Sequence, residues 1–221
     1  AEGSAGNGAL ILLRESFSAK RYEETVRLAG TILSDDPGNV EAGDLGTKAQ
    51  SEIDSAQAAS FLQRGMASFE AADYAACVRD MDEVLRRDAA NEAARDYLFK
   101  ADTALSRRDI RAMIERRRQA EEREDLQGVL RGVDPGGLAS QERSRYSAMF
   151  TIYDGIRSEI EDNTISIDFS DRTHATVGFY HVIQGNSRKD GKPKAILFAQ
   201  TYWTLEKHGD AWAIIGIQER S

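Results

Sequence analysis

The sequence has little that would stabilise it covalently or anchor it in a membrane. It contains one cysteine, Cys77, in 221 residues, which excludes a disulfide within the chain and a metal site built from several thiolates. Its longest apolar runs, 9–13 and 195–199, fall far short of the roughly 20 residues that a membrane-spanning helix needs. The sequence therefore predicts no membrane span, and no histidine or carboxylate set has the spacing of a metal site.

Positive charge is scarcer than negative charge. The chain has 29 Lys and Arg against 37 Asp and Glu, which gives a net charge of −8. An acidic chain repels nucleic acid and anionic lipid, so we predict no nucleic-acid partner. The basic run over 107–118 is interleaved with acids at helical distances, which indicates a solvated, salt-bridged helix. A hydrophobic content of 41% is enough for packed cores.

The first residues, Ala-Glu-Gly-Ser-Ala-Gly-Asn-Gly, include no initiator methionine. Either a signal peptide has been removed or the sequence starts at a chosen boundary. We expect an extracytoplasmic protein, in the periplasm or at the cell surface, with the cytoplasm as the alternative. A terminus rich in glycine and small polar residues is also expected to be a flexible tail over 1–8.

The N-terminal half repeats itself at an interval of 52 residues. The matching pairs are Phe17 and Phe69, Tyr22 and Tyr74, Leu33 and Leu85, Asp36 and Asp88, and Asn39 and Asn91. Within each copy, apolar residues recur at helical spacing. A fixed period of this kind predicts an all-α domain of stacked helical units over 9–105.

The second copy, FLQRGMASFEAADYAACVRDMDEVLRRDAAN over 61–91, resembles a tetratricopeptide repeat. Gly65 stands where two helices approach, and Tyr74 opens the second helix. The family's period of about 34 residues leaves about 18 extra per unit, which we interpret as helix extensions over 40–57 and 92–108. The resemblance implies a binding groove, for which ordinary helix packing is the alternative. The groove candidates are Arg14, Phe17, Met66 and Phe69, with Leu62 favouring packing.

From Ser106 the pattern changes to three helices followed by β-type runs. Ser106 and Asp109 predict a helix start, a short helix covers 126–130, and a third helix covers 141–156. Alternating segments over 158–168, 174–183, 194–207 and 211–218 predict strands. Helices followed by an antiparallel meander indicate an α+β domain over 106–221.

The phrases AEEREDLQGVL, HATVGFYHVI and TYWTLEKHGDAWAIIGIQ resemble the nuclear transport factor 2-like, cystatin-like cone family. The resemblance implies three helices on a curved antiparallel sheet. Enzymes of that family place an acid, a tyrosine or a His–Asp pair inside the cone, and His181 is the one titratable strand residue predicted to point inward. Asp125 has no second carboxylate spaced to pair with it, and we interpret His181 as structural rather than catalytic. The possible pocket residues are Tyr146, Phe150, Tyr153, Phe179, His181 and Trp203.

The last two strands are apolar on both alternating faces, so a second surface must be covered by a partner or by the chain itself. Its predicted members are Tyr180, Phe198, Tyr202, Ile215 and Ile217. We therefore predict a non-enzymatic protein-interaction or self-assembly scaffold, a homo-oligomer or filament without a cofactor. Binding of a small hydrophobic ligand, or lyase or isomerase activity in the cone, is the alternative.

Overall fold

A computed structural model describes the backbone of residues 2–220 and the side chains of residues 8–220. It divides into two compact units, one ending at Ala101 and the other beginning at Asp102. The predicted boundary at 105/106 lies close to this position. No helix within the described range is long and apolar enough to cross a membrane.

The first unit is entirely helical. Its helices are α1 (Glu2–Ser18), α2 (Tyr22–Asp35), α3 (Val40–Glu70), α4 (Tyr74–Arg87) and the first part of α5 (Glu92–Glu122). The predicted flexible tail over 1–8 is therefore helical from Glu2 onward, and Ala1 lies outside the described residues. The extensions predicted over 40–57 and 92–108 are helical, because neither contains a proline to interrupt the hydrogen bonding.

Helix lengths and turns in this unit recur at the interval seen in the sequence. Helices α2 and α4 have 14 residues each, and α3 and α5 have 31 each. Asn39 Oδ1 accepts a hydrogen bond from the Ala42 amide at 3.0 Å, and Asn91 Oδ1 accepts one from Ala94 at 3.0 Å. Such caps stabilise a helix start by about 1 kcal/mol.

Glycines allow α3 to lie close to both of its neighbours. A Cβ atom on Gly46 would lie 2.8 Å from the Ala29 Cβ of α2. A Cβ atom on Gly65 would lie 2.5 Å from the Met81 Cε and 3.1 Å from the Asp80 Cβ, both of α4. These distances are too short for carbon atoms in contact, so any side chain larger than that of glycine at Gly46 or Gly65 would push the helices apart.

The second unit combines three helical segments with a five-stranded antiparallel sheet. The helices are the rest of α5, α6 (Leu126–Leu130) and α7 (Gly137–Ile152). The strands are β1 (Tyr153–Ile160), β2 (Ser166–Phe169), β3 (His174–Ser187), β4 (Pro193–His208) and β5 (Ala211–Arg220), in the order β1-β3-β4-β5 with β2 also paired to β3. Its α+β class agrees with the sequence prediction.

Three predicted boundaries are wrong. Ser106 does not begin a helix, because α5 continues through it without a glycine or proline from Glu92 to Glu122. The third helix ends at Ile152, and Tyr153 is the first residue of β1 rather than part of the helix. The first predicted strand is interrupted by a short 3₁₀ turn over Asp162–Thr164, which separates β1 from β2.

The predicted face of Ile217 is wrong because β5 contains a β-bulge. Leu205 pairs with Ile214 and Thr204 pairs with Gly216, so Ile215 is an extra residue on β5. Beyond the bulge, Ile217 lies opposite Trp203, and directly opposed residues share one face of a sheet. Ile217 therefore packs against the interior core that contains Trp203. The prediction failed because strict alternation does not hold across a bulge.

Candidate functional site

A buried carboxylate, Glu121, is the centre of a polar cluster inside the second unit. It stands in the last turn of α5 and is 0% exposed. Its Oε1 accepts a hydrogen bond from the Tyr146 hydroxyl at 2.5 Å, and its Oε2 accepts one from the Ser158 hydroxyl at 2.5 Å. The His181 Nε2 lies 3.0 Å from the same Oε2. Residues from α5, α7, β1 and β3 therefore meet at one carboxylate.

Arg117, one helical turn before Glu121, supplies the positive charge of this cluster. Its Nε lies 3.6 Å from Glu121 Oε1, and its guanidinium also pairs with Glu142 of α7. Another of its nitrogens donates to the Val129 carbonyl at 3.0 Å, at the end of α6. The guanidinium also faces the ring of Trp203 at 5.5 Å. One arginine thus joins α5, α6 and α7 around the buried carboxylate.

Burial and neighbouring charges act in opposite directions on the ionisation of this cluster. Burial disfavours the charged form of Glu121, but the contacts with His181, Arg117 and Ser158 outweigh it and hold its pKa below the ordinary value. Burial and the adjacent carboxylate raise the pKa of Tyr146. For Arg117 burial opposes the charge, yet its anionic neighbours raise the pKa. Glu121 is therefore ionised and Tyr146 is neutral near pH 7.

The arrangement leaves little room for a substrate at the carboxylate. Glu121 is fully buried, and Tyr146, Phe179, Trp203 and His181 are at most 4% exposed. The two carboxylate oxygens already accept from the hydroxyls of Tyr146 and Ser158 and face the imidazole and the guanidinium. A general base has to reach the proton that it removes. In the structure the four partners of Glu121 occupy both of its carboxylate oxygens.

The predicted pocket residues are divided between this interior and its margin. Tyr146, Phe179, His181 and Trp203 are buried as expected, with Phe179 and Trp203 edge-to-face at 4.8 Å. Phe150 is half-buried and lies 5.8 Å from the Tyr146 ring. Tyr153 is half-buried in the second apolar cluster of this unit. Predicted and observed interiors therefore overlap in their aromatic residues.

Sequence reasoning missed the charged half of the cluster. The basic run over 107–118 and the acids that accompany it predict a solvated helix face, but Arg117 and Glu121 are 5% and 0% exposed. Helical spacing could have indicated this burial, because Arg117 and Glu121 lie on the same helix face as the buried residues Ile110, Met113 and Ile114. The partners Glu142 and Ser158 had no comparable signal, because contacts this distant in sequence cannot be inferred from helical spacing. Asp125, the acid that the resemblance implied, caps α6 through the Gly128 amide at 3.0 Å.

The predicted assembly face is partly as expected. Phe198 is 63% exposed, and Tyr180 stands edge-to-face with it at 5.4 Å. Ile215 is also exposed. Tyr202 is half-buried, lying over Gly178 and beneath the Arg220 guanidinium at 5.2 Å. Of the five predicted residues, Ile217 alone faces the interior, so it is not part of this surface.

The predicted groove residues of the helical unit pack within that unit. Arg14 pairs with Glu41 at 2.5 Å. Phe17 contacts Tyr22 at 5.8 Å between ring centres, and Phe69 contacts Tyr74 at 5.4 Å. Met66 packs against the core of the same unit. Phe17, Met66 and Phe69 make ordinary helix-packing contacts, whereas Arg14 makes an exposed ion pair.

A groove of about 820 Å³ lies elsewhere in the helical unit, along α3. We call it the α3 groove. Its apolar or small lining residues are Val26, Ala29, Gly30, Leu33, Gly43, Gly46, Ala58, Ala59 and Leu62. Polar residues at its margin include Asp54, Arg87 and Asp88. The α3 members extend along about five turns, or roughly 28 Å, of that helix.

The residues that the structure describes contain no candidate metal site. No group of three or more histidine, cysteine, aspartate or glutamate side chains is gathered there as metal ligands would be.

No family model matches the chain. No curated protein matches it either.

Several solved structures are similar to the C-terminal half of the chain. A proposed scytalone dehydratase of Novosphingobium aromaticivorans has a TM-score of 0.49 at 16% identity and covers 55% of this chain and 87% of its own. A cystatin-like protein from Nostoc punctiforme has a TM-score of 0.42 at 19% identity and covers 52% and 90%. A ketosteroid isomerase-like protein from Erwinia carotovora atroseptica has 0.40 at 16%, covering 51% and 95%. Similarity at this level assigns no activity.

Proposed function

We propose that this protein is a non-enzymatic self-assembly module whose helical unit receives a helix from a second copy. The α3 groove is the observation that carries the proposal. Its walls are helices with small residues, and small residues allow a further helix to approach closely. The equal lengths of α2 and α4, and of α3 and α5, further support tetratricopeptide-like units in this half of the chain.

Helix α1 is the occupant that the chain itself offers. Ile11 and Leu12 are 47% and 56% exposed, and with Gly8 and Glu15 they form one outward stripe at helical spacing. Burying two large aliphatic side chains stabilises a contact by about 1.5–3 kcal/mol each. A helix of one copy in the groove of the next is a head-to-tail contact. Such contacts form rings when they close and filaments when they do not.

The test is the mass of the particle in solution, by light scattering after gel filtration over a concentration series. We expect the wild type to grow in mass with concentration. Leu12→Asp on the helix and Ala59→Arg in the groove should each reduce it to a monomer, and an equimolar mixture of the two variants should form dimers, since each retains one intact surface. Lys20→Asp, an exposed change outside both surfaces, is the control. A monomeric wild type at high micromolar concentration would refute the proposal.

The buried cluster favours a second candidate, binding of a small ligand in the cone. An ionised carboxylate beside an imidazole and a neutral tyrosine is a set that acid–base enzymes use. The interior would have to open before a ligand could reach Glu121, so this candidate has less support. Titration with phenol, followed by the imidazole proton signals of His181, distinguishes them. If the signals shift saturably in the wild type and not in Glu121→Gln, ligand binding in the cone is favoured. If the signals do not change, binding of small aromatic alcohols in the cone is rejected.

A further inference from the structure

Four arginines of the second unit line a concavity of about 500 Å³ that no part of the proposed function uses. Arg117 is buried and paired within the Glu121 cluster, and the other three are Arg116, Arg123 and Arg131. Arg116 is on α5, Arg123 directly follows the last residue of α5, and Arg131 follows α6. All three are exposed. We call the concavity the arginine pocket.

These three arginines lack the acidic partners that several other arginines of α5 have. On α5, Arg118 pairs with Glu115 and Glu122 at 2.8 Å, and Arg108 pairs with Asp109 at 3.3 Å. Between residues 8 and 220, no carboxylate lies within salt-bridge distance of Arg116, Arg123 or Arg131. All three line the pocket, in a chain whose net charge is −8.

The backbone holds Arg131 at the edge of the pocket. Gly132 has a φ of +83°, a conformation that other residues adopt at a cost. Its carbonyl accepts a hydrogen bond from the Ile214 amide at 2.7 Å, and the Asp134 amide donates to the Ile214 carbonyl at 2.9 Å. Strand β5 therefore fixes the segment after α6, and with it the position of the third arginine.

We propose that the arginine pocket binds the phosphate group of a small phosphate monoester. A tetrahedral phosphate offers oxygens in several directions, whereas a carboxylate offers two in one plane, which a single guanidinium can satisfy. Three guanidinium groups around one concavity therefore match phosphate better. The volume exceeds the needs of the phosphate alone and lies in the range of small-molecule sites.

The remaining lining fits the organic part of such an ester and sets limits on its charge. Met113, Ala120, Ala211 and Trp212 give an apolar wall. Asp125 also lines the pocket, but its Oδ1 accepts from the Gly128 amide. Asp109 and Asp210 line an adjoining concavity next to Arg116. A ligand with one phosphate and an uncharged apolar body avoids these carboxylates.

Titration of the full chain with phenyl phosphate, inorganic phosphate and benzoate tests the proposal. Amide shifts of Gly128, Gly132 and Ala211 in nitrogen–proton spectra report binding at the pocket. We expect saturable shifts with phenyl phosphate, at least about tenfold weaker binding of benzoate, and intermediate binding of inorganic phosphate. Equal affinity for the two phosphates would assign the pocket to free phosphate and overturn the monoester, while benzoate binding as tightly as phenyl phosphate would overturn phosphate recognition altogether.

Variants separate a built pocket from the general effect of charge. Arg123→Gln and Arg131→Gln should each weaken phenyl phosphate binding about tenfold. Arg111→Gln removes the same charge from an exposed position of α5 outside the pocket and should leave binding unchanged. Thermal melts establish that each variant is folded. Equal weakening by all three variants, or no saturable shift in the wild type, would refute the proposal.

Discussion

Replacing Glu121 with alanine removes the acceptor on which four buried groups depend. The hydroxyls of Tyr146 and Ser158, the His181 ring and the Arg117 guanidinium would lose their shared partner. Removing one partner of a buried ion pair costs about 3–5 kcal/mol, because the remaining charge stays buried. Unpaired buried hydroxyls add to this cost, but Arg117 keeps its pair with Glu142, which offsets part of it. We therefore expect about 3–5 kcal/mol less free energy of unfolding.

The neighbouring residue provides a matched control. Glu122 is exposed and pairs with Arg118 at 2.8 Å on the surface of the same helix. Surface pairs contribute little, so Glu122→Ala should cost about 0.5 kcal/mol or less. Tyr146→Phe, which removes one donor and leaves the charges in place, should cost about 1–1.5 kcal/mol.

Urea unfolding followed by tryptophan fluorescence measures these differences in the relevant unit. The chain has two tryptophans, Trp203 and Trp212, and both lie after Asp102. With an m-value of about 1.5 kcal/mol/M, the alanine variant should unfold at roughly 2–3 M less urea. If Glu121→Ala and Glu122→Ala lowered the midpoint equally, the cluster would not stabilise the unit as reasoned.

Three further predictions follow from the same structure. Because the folded-state pKa of Glu121 lies below its ordinary value of 4.5, its stabilisation is present above that pH and lost as pH falls below it; the advantage of wild type over Glu121→Gln, measured by urea unfolding, should therefore shrink in acid. Gly43→Ala meets nothing within 4 Å and should stabilise α3 by about 0.5–1 kcal/mol, while Gly46→Ala, with a methyl group 2.8 Å away, should destabilise it, as circular dichroism melts would show. Ile217→Ser should destabilise the second unit more than Ile215→Ser, and equal effects in denaturant would contradict the assigned bulge.

Local patterns predicted much of this architecture. The repeat interval located α2 and α4, and alternation along β3 and β4 placed Phe179, His181 and Trp203 on the interior face. Short-range signals of this kind depend on residues close in sequence, so they can be read from the chain alone.

The failures have the opposite cause. The charged cluster depends on Glu121 meeting a serine 37 residues and a histidine 60 residues further along, and nothing local marks that meeting. Ser106 looked like a cap, but the tertiary context continued the helix through it. The pairing of β4 with β5, which contains the bulge, also had to be seen to place Ile217.

The bulge at Ile215 limits how β5 can change in length. Because Trp212 and Ile214 precede it and Ile217 follows it, the extra residue keeps the apolar side chains on both sides of it directed to the interior. Deleting Ile215 itself would leave a regular strand in which Gly216 still lies opposite Thr204 and Ile217 still faces the interior. A single deletion in β5 is therefore expected to be accepted at the bulge, whereas a single deletion between Trp212 and Ile214 would reverse the alternation on one side of it.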